Sequence, residues 1–159
     1  GIARRAATGA DFEGDDAGDA GFLVMMNEII QTRPDVHRGW LEAELDAQLF
    51  LADTDNANEV AKMADDQTEG MDRKILWASL YRDENRVNKL TLDFVFNDKV
   101  RNMLNASAAF LAGKKKFGKR TTLRPQAVYD EVARQVLADR GLKSPLGKID
   151  GVPLSEYRP

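Results

Sequence analysis

Gly21-Phe22-Leu23-Val24-Met25-Met26, and a few residues later Pro34-Asp35-Val36-His37-Arg38-Gly39-Trp40-Leu41-Glu42-Ala43-Glu44-Leu45-Asp46-Ala47-Gln48-Leu49-Phe50, are the most strongly patterned parts of this chain. The first is a short apolar run that reads as a strand. The second is a helix opened by Pro34, whose missing N–H removes no bond in a first turn, and Asp35 favours the positive end of the helix dipole. Thr32 or Asp35 can serve the exposed donors there. Val36, Trp40, Ala43, Ala47 and Phe50 recur at three- and four-residue steps, and Leu41, Leu45 and Leu49 form a second row beside them. So wide an apolar face predicts a central helix buried on several sides.

Outward from this stretch, the 159 residues are the size of one domain, and 43% hydrophobic with 31% charged residues is ordinary for a soluble globular protein. No apolar run approaches the length of about 20 residues a membrane helix requires. The absence of cysteine excludes disulfides, thiolate metal sites and cysteine nucleophiles. The chain begins at Gly1 without an apolar segment ahead of it, the pattern expected of a processed or a truncated product. Residues 1–70 hold 5 basic side chains against 16 acidic ones and residues 71–159 hold 18 against 10, which together give the net charge of −3. Complementary halves packing together explain this asymmetry more simply than a nucleic-acid or membrane patch.

Residues 1–20 are glycine-rich and acidic and read as a loop. Against a calcium loop starting at Asp11, Asp16 stands where the turn glycine belongs and Phe22 where the bidentate glutamate belongs, so the calcium reading fails. After the central helix, Asp55 or Asn56 caps a helix to about Asp66 with Val60, Met63 and Ala64 inward. A helix over 73–81 puts Trp77 and Tyr81 on one face, which packs in a core or stacks on a flat or cationic ligand. Residues 83–89 read as a charged turn and Leu90–Phe96 as a strand. Asn97 or Asp98 caps a helix to about Ala112 with Val100, Met103, Leu104, Ala108 and Leu111 at helical spacing, followed by the basic run Lys114 to Arg120. Lysines there suit the helix C-terminus, and a single Phe117 is too little for nucleic acid. Pro125 opens a last helix to about Arg140, with Val128, Val132 and Val136 on one row and Tyr129, Ala133 and Leu137 on the next, stopped by Gly141. Residues 142–159, rich in proline and glycine, predict an irregular tail on the surface.

No phosphate loop, dinucleotide glycine signature, nucleophile elbow or zinc helix motif is present. His37 is the only histidine and reads as a partly exposed structural residue. Glu42 and Asp46, four apart, could hold a metal, although a solvated face is the simpler reading.

The order of pieces, from the glycine-bounded run Gly21 to Met26 through Asn27-Glu28-Ile29-Ile30 and Arg33-Pro34-Asp35-Val36 to the alanine-rich helix from Trp40 to Ala47, resembles the C-terminal half of ABC-importer substrate-binding proteins of the alkanesulfonate, nitrate and thiamine-pyrimidine type. The helices and the Leu92–Phe96 entry that follow keep the family's order, over residues 14 to 140. The resemblance implies an α/β fold, helix-dominated in this segment, forming part of a two-lobe type II periplasmic-binding-protein fold. Residues 1–20 would form a loop near the hinge, 21–141 the lobe-forming domain and 142–159 a tail. It further implies solute capture without catalysis or a cofactor, a membrane permease as partner, no nucleic acid, and a periplasmic or other extracytoplasmic location. Thr8, Asp11, Phe12 and Asp15 ahead of Gly21, with Trp77, are the ligand-binding candidates, and their acidity favours an amine-bearing solute. Such a half exposes an interface and is prone to self-association. The alternatives are a helical protein-interaction module using the Trp77 and Tyr81 face, and a small enzyme using His37 or a carboxylate pair.

Overall fold

The computed structural model describes residues 21–68, 71–81, 91–114 and 119–158. Its elements are α1 (Asn27–Thr32), α2 (Pro34–Ala52), α3 (Ala57–Gln67), α4 (Arg73–Leu80), β1 (Thr91–Leu92), α5 (Asp98–Gly113), α6 (Glu131–Asp139) and β2 (Gly147–Lys148). Helices dominate, and β1 and β2 form a two-stranded antiparallel sheet with Thr91 opposite Lys148 and Leu92 opposite Gly147. The chain divides into two compact units: among the described residues, one comprises 21–27 and 96–130, and the other 28–95 and 131–158.

The larger unit holds two apolar clusters. In the first, Leu45 of α2 and Phe94 pack with Ala133, Val136 and Leu137 of α6, with Leu41 and Leu49 half-buried beside them. Two ion pairs tie the same helices together, Arg38 to Asp139 at 2.7 Å and Arg140 to Asp46. In the second, Ala57 and Ala61 of α3, Trp77 of α4 and Tyr81 just after it enclose Leu92, Ile149 and Val152.

Pro34 opens α2 as its fixed φ predicts, but Thr32 donates to the Glu28 carbonyl at 2.7 Å and Asp35 pairs with Arg33 at 3.1 Å. Only one of the two apolar rows on α2 is buried. His37, Leu41, Leu45 and Leu49 stand four residues apart and face α6, with Leu45 wholly inaccessible, whereas Val36, Trp40, Ala43 and Ala47 are exposed. Among the described residues, α6 and Phe94 cover one stripe of α2 and only its last residues, Leu51 and Ala52, reach the second cluster, so the outer row stays exposed.

Four further expectations are corrected. Residues 21–26 adopt no regular structure and are largely exposed, Val24 at 93%. An apolar run becomes a strand only beside an available sheet edge, and the only sheet among the described residues pairs β1 with β2. Met63 is exposed, Val60 packs half-buried against the cluster as expected, and the fully buried residues of α3 are Ala57 and Ala61, small enough for the close approach of α4. Pro125 opens only a 3-10 turn over Pro125–Ala127, after which Val128 is extended, and α6 starts afresh at Glu131. The strand expected over Leu90–Phe96 shrinks to Thr91–Leu92, although Leu92 and Phe94 are both buried.

The helix ends at Asn97 and Gly141 are as the sequence predicts, whereas Asn56 stands at the start of α3 without a side-chain cap bond. Asn97 accepts from Val100 N at 2.9 Å to cap α5, and α4 is capped in the same way by Asp72. Gly141, at φ 65°, ends α6, and the Leu142 N–H reaches back to the Leu137 carbonyl at 2.9 Å.

The C-terminal segment departs from the expected surface tail. It is mostly irregular, yet Ile149 and Val152 are buried, Leu146 N donates to Leu92 O at 2.8 Å, and Asn58 of α3 donates to the Glu156 carbonyl at 3.3 Å. Proline and glycine forbid long regular structure, but they do not prevent single side chains from pointing inward.

Candidate functional site

Four of the five ligand-binding candidates, Thr8, Asp11, Phe12 and Asp15, lie outside the described residues, as do the 83–89 turn and Lys115 and Lys116 of the basic run. The fifth, Trp77, is a core residue. Its indole Nε1 donates to the Val152 carbonyl at 3.1 Å, and its ring packs against Tyr81 at 5.5 Å and edge-on to Tyr157 at 5.8 Å. Tyr81 is equally buried, and its hydroxyl donates to Leu51 O at 3.3 Å. Burial, reinforced by the charge of Asp53, pushes that hydroxyl up to about 12. Neither ring presents a face to a ligand or a partner, so the pair is the packing element of its cluster.

His37 is buried, at 6% exposure, where a partly exposed position was expected. It belongs to the 37/41/45/49 row, and that row faces inward. The carboxylate pair is engaged: Glu42 accepts from Arg38 at 2.8 Å and Asp46 from Arg140. Among the described residues no group of three metal-ligating side chains comes together, and no helix is long and apolar enough to cross a membrane.

The smaller unit contains a cavity of about 180 Å³ lined by Arg101, Asn105, Thr122, Leu123, Arg124, Pro125 and Val128. Sequence reasoning missed it, because its walls come from α5 and from a loop whose proline was read as opening a helix. Arg101 and Asn105, four apart, share a face of α5. Asn105 accepts from Leu123 N at 2.9 Å, which fixes the loop against the helix. The Arg101 guanidinium is held at 3.3 Å by Asp130, itself an acceptor for Phe96 N at 3.2 Å, and lies 5.9 Å from the Phe96 ring centroid. Phe22 stacks on that ring at 5.7 Å. The Arg124 side chain is exposed and has no hydrogen-bond or ion-pair partner among the described residues.

Compared with family models, with curated proteins and with solved structures, the chain matches none.

Proposed function

We propose that this chain is lobe-forming material of an ABC-importer substrate-binding protein, which captures a solute outside the cytoplasmic membrane and delivers it to a permease. The observation that carries the reading is the order of elements: a short helix, a proline-opened helix of 19 residues, two shorter helices, a strand entry, an Asn-capped helix of 16 residues and a last helix. Apart from the opening strand, which residues 21–26 do not form, that order supports the succession the resemblance implies. In keeping with it, the apolar run at 21–26 and the Trp40 row of α2 are surfaces of the kind that a neighbouring sheet or layer covers in a complete lobe. Two lobes closing on a solute would shift the open and closed populations, and the permease reads that shift.

A thermal-shift screen of the full-length gene product against amines, sulfonates and pyrimidines tests the reading. One solute class is expected to raise the melting temperature in proportion to the logarithm of its concentration. Turnover of the compound, or no shift with any class, overturns it. The exposed Val36 and Trp40 favour a second reading, a helical module that docks a partner through the outer row of α2; the Trp77 and Tyr81 face is unavailable for that role.

A further inference from the structure

We propose that the cavity between α5 and the 122–128 loop binds a small oxyanion, a free phosphate, sulfonate or carboxylate group, held between the guanidinium groups of Arg101 and Arg124. The site is independent of the solute-capture reading and lies within the smaller unit. Arginine is suited to this task because its planar fork of N–H donors matches two oxygens of one anion, and charge-assisted bonds of that kind are about twice as strong as neutral ones.

The two arginines play different parts. Arg101 is oriented in advance by Asp130 and by the Phe96 ring, so little side-chain freedom is lost on binding. Asp130 accepts from both Phe96 N and Arg101, and it leaves the remaining guanidinium donors of Arg101 for a ligand. Arg124 brings a charge that nothing among the described residues neutralises. Thr122 adds a hydroxyl, while Leu123, Pro125 and Val128 supply apolar lining. The described residues of 96–130 contribute a net positive field: they carry six basic side chains, Lys99, Arg101, Lys114, Lys119, Arg120 and Arg124, against Asp98 and Asp130.

The depression is small and opens to solvent. A volume of about 180 Å³ holds roughly half a dozen waters at liquid density and falls below the range of about 300–1,000 Å³ of sites for drug-sized molecules. A tetrahedral or planar anion with a short substituent fits. A nucleic-acid strand would need a groove with aromatic platforms, and the Phe96 ring beside Arg101 is occupied on one face by Phe22.

The test is a titration of the full chain with inorganic phosphate and with methanesulfonate, at ionic strength held constant with sodium chloride, read from the backbone amide NMR shifts of Leu123 and Arg124. Saturable shifts are expected. Arg124→Gln, at an exposed position without a structural partner, is expected to weaken binding about tenfold or more, and Arg101→Lys severalfold through loss of the fork. Lys119→Gln, in the same field but outside the cavity wall, is expected to change it less than about twofold. Non-saturating shifts, equal losses in Arg124→Gln and Lys119→Gln, or a single-stranded oligonucleotide that binds where both anions fail would each overturn the proposal.

Discussion

Trp77 and Val152 hold each other across 75 residues of chain: the indole N–H of Trp77 donates to the Val152 carbonyl, while the Val152 N–H donates at 3.0 Å to the carbonyl of Tyr81, one turn beyond Trp77. The end of α4 and the C-terminal segment therefore satisfy each other's backbone groups inside an apolar cluster. An unpaired buried carbonyl costs about 1–3 kcal/mol, so this reciprocal clasp explains how an irregular segment is fixed so firmly.

Trp77→Phe keeps an aromatic ring but removes the indole donor and part of the volume. It is expected to lower stability by about 1–3 kcal/mol in urea unfolding. Truncation before Ile149 is expected to produce a larger loss, since it opens the whole cluster.

The two faces of α2 make opposite predictions. Leu45→Ala, at a position with no exposure, is expected to cost about 2–5 kcal/mol. Trp40→Ala, at 56% exposure, is expected to change stability by no more than about 0.5 kcal/mol despite the larger side chain. Urea midpoints of the two variants check the assignment of the buried row, and a reversed order would refute it.

Tyr81 makes stability fall at high pH. Its folded-state value of about 12 exceeds the ordinary value of 10.0, so its neutral form is the one the fold favours. The contribution is complete below about pH 10 and is lost as pH rises towards 12. Tyr81→Phe is expected to be less stable at pH 7 by about 1 kcal/mol, through loss of the bond to Leu51 O, and to lose less stability than the parent between pH 10 and 12. Melting curves across that window compare the two.

Asp139 acts at the other end of the scale. The Arg38 guanidinium, with help from Gln135, holds its carboxyl below the ordinary value of 3.8. Its contribution is present above that value and disappears as pH falls through the lower folded-state value. Asp139→Asn is expected to unfold at a lower temperature at neutral pH and to show a shallower loss below about pH 4. Acid titrations followed by circular dichroism measure both slopes.

How far the chain can be read without coordinates follows from the range of the forces involved. Local signals succeed: Pro34 at the start of α2, Asn97 at the start of α5 and Gly141 at the end of α6 act through backbone geometry and a few neighbouring atoms, and each works where it stands in the sequence. Periodicity locates α2 but offers two adjacent rows of equal apolarity. It cannot say that His37 goes inward and Trp40 outward, because that depends on where α6 lies.

By itself, then, the sequence determined where the longer helices lie and how α5 and α6 are capped at Asn97 and Gly141, since propensity, capping and fixed φ are properties of short stretches. The tertiary structure alone decided which face of α2 is core, that the run at 21–26 finds no sheet among the described residues, that Trp77 is sealed by Val152, and that Arg101 and Arg124 share a cavity. Those outcomes depend on residues tens of positions apart meeting at a common surface, and a partner that arrives from so far along the chain leaves no local mark on the residues it covers.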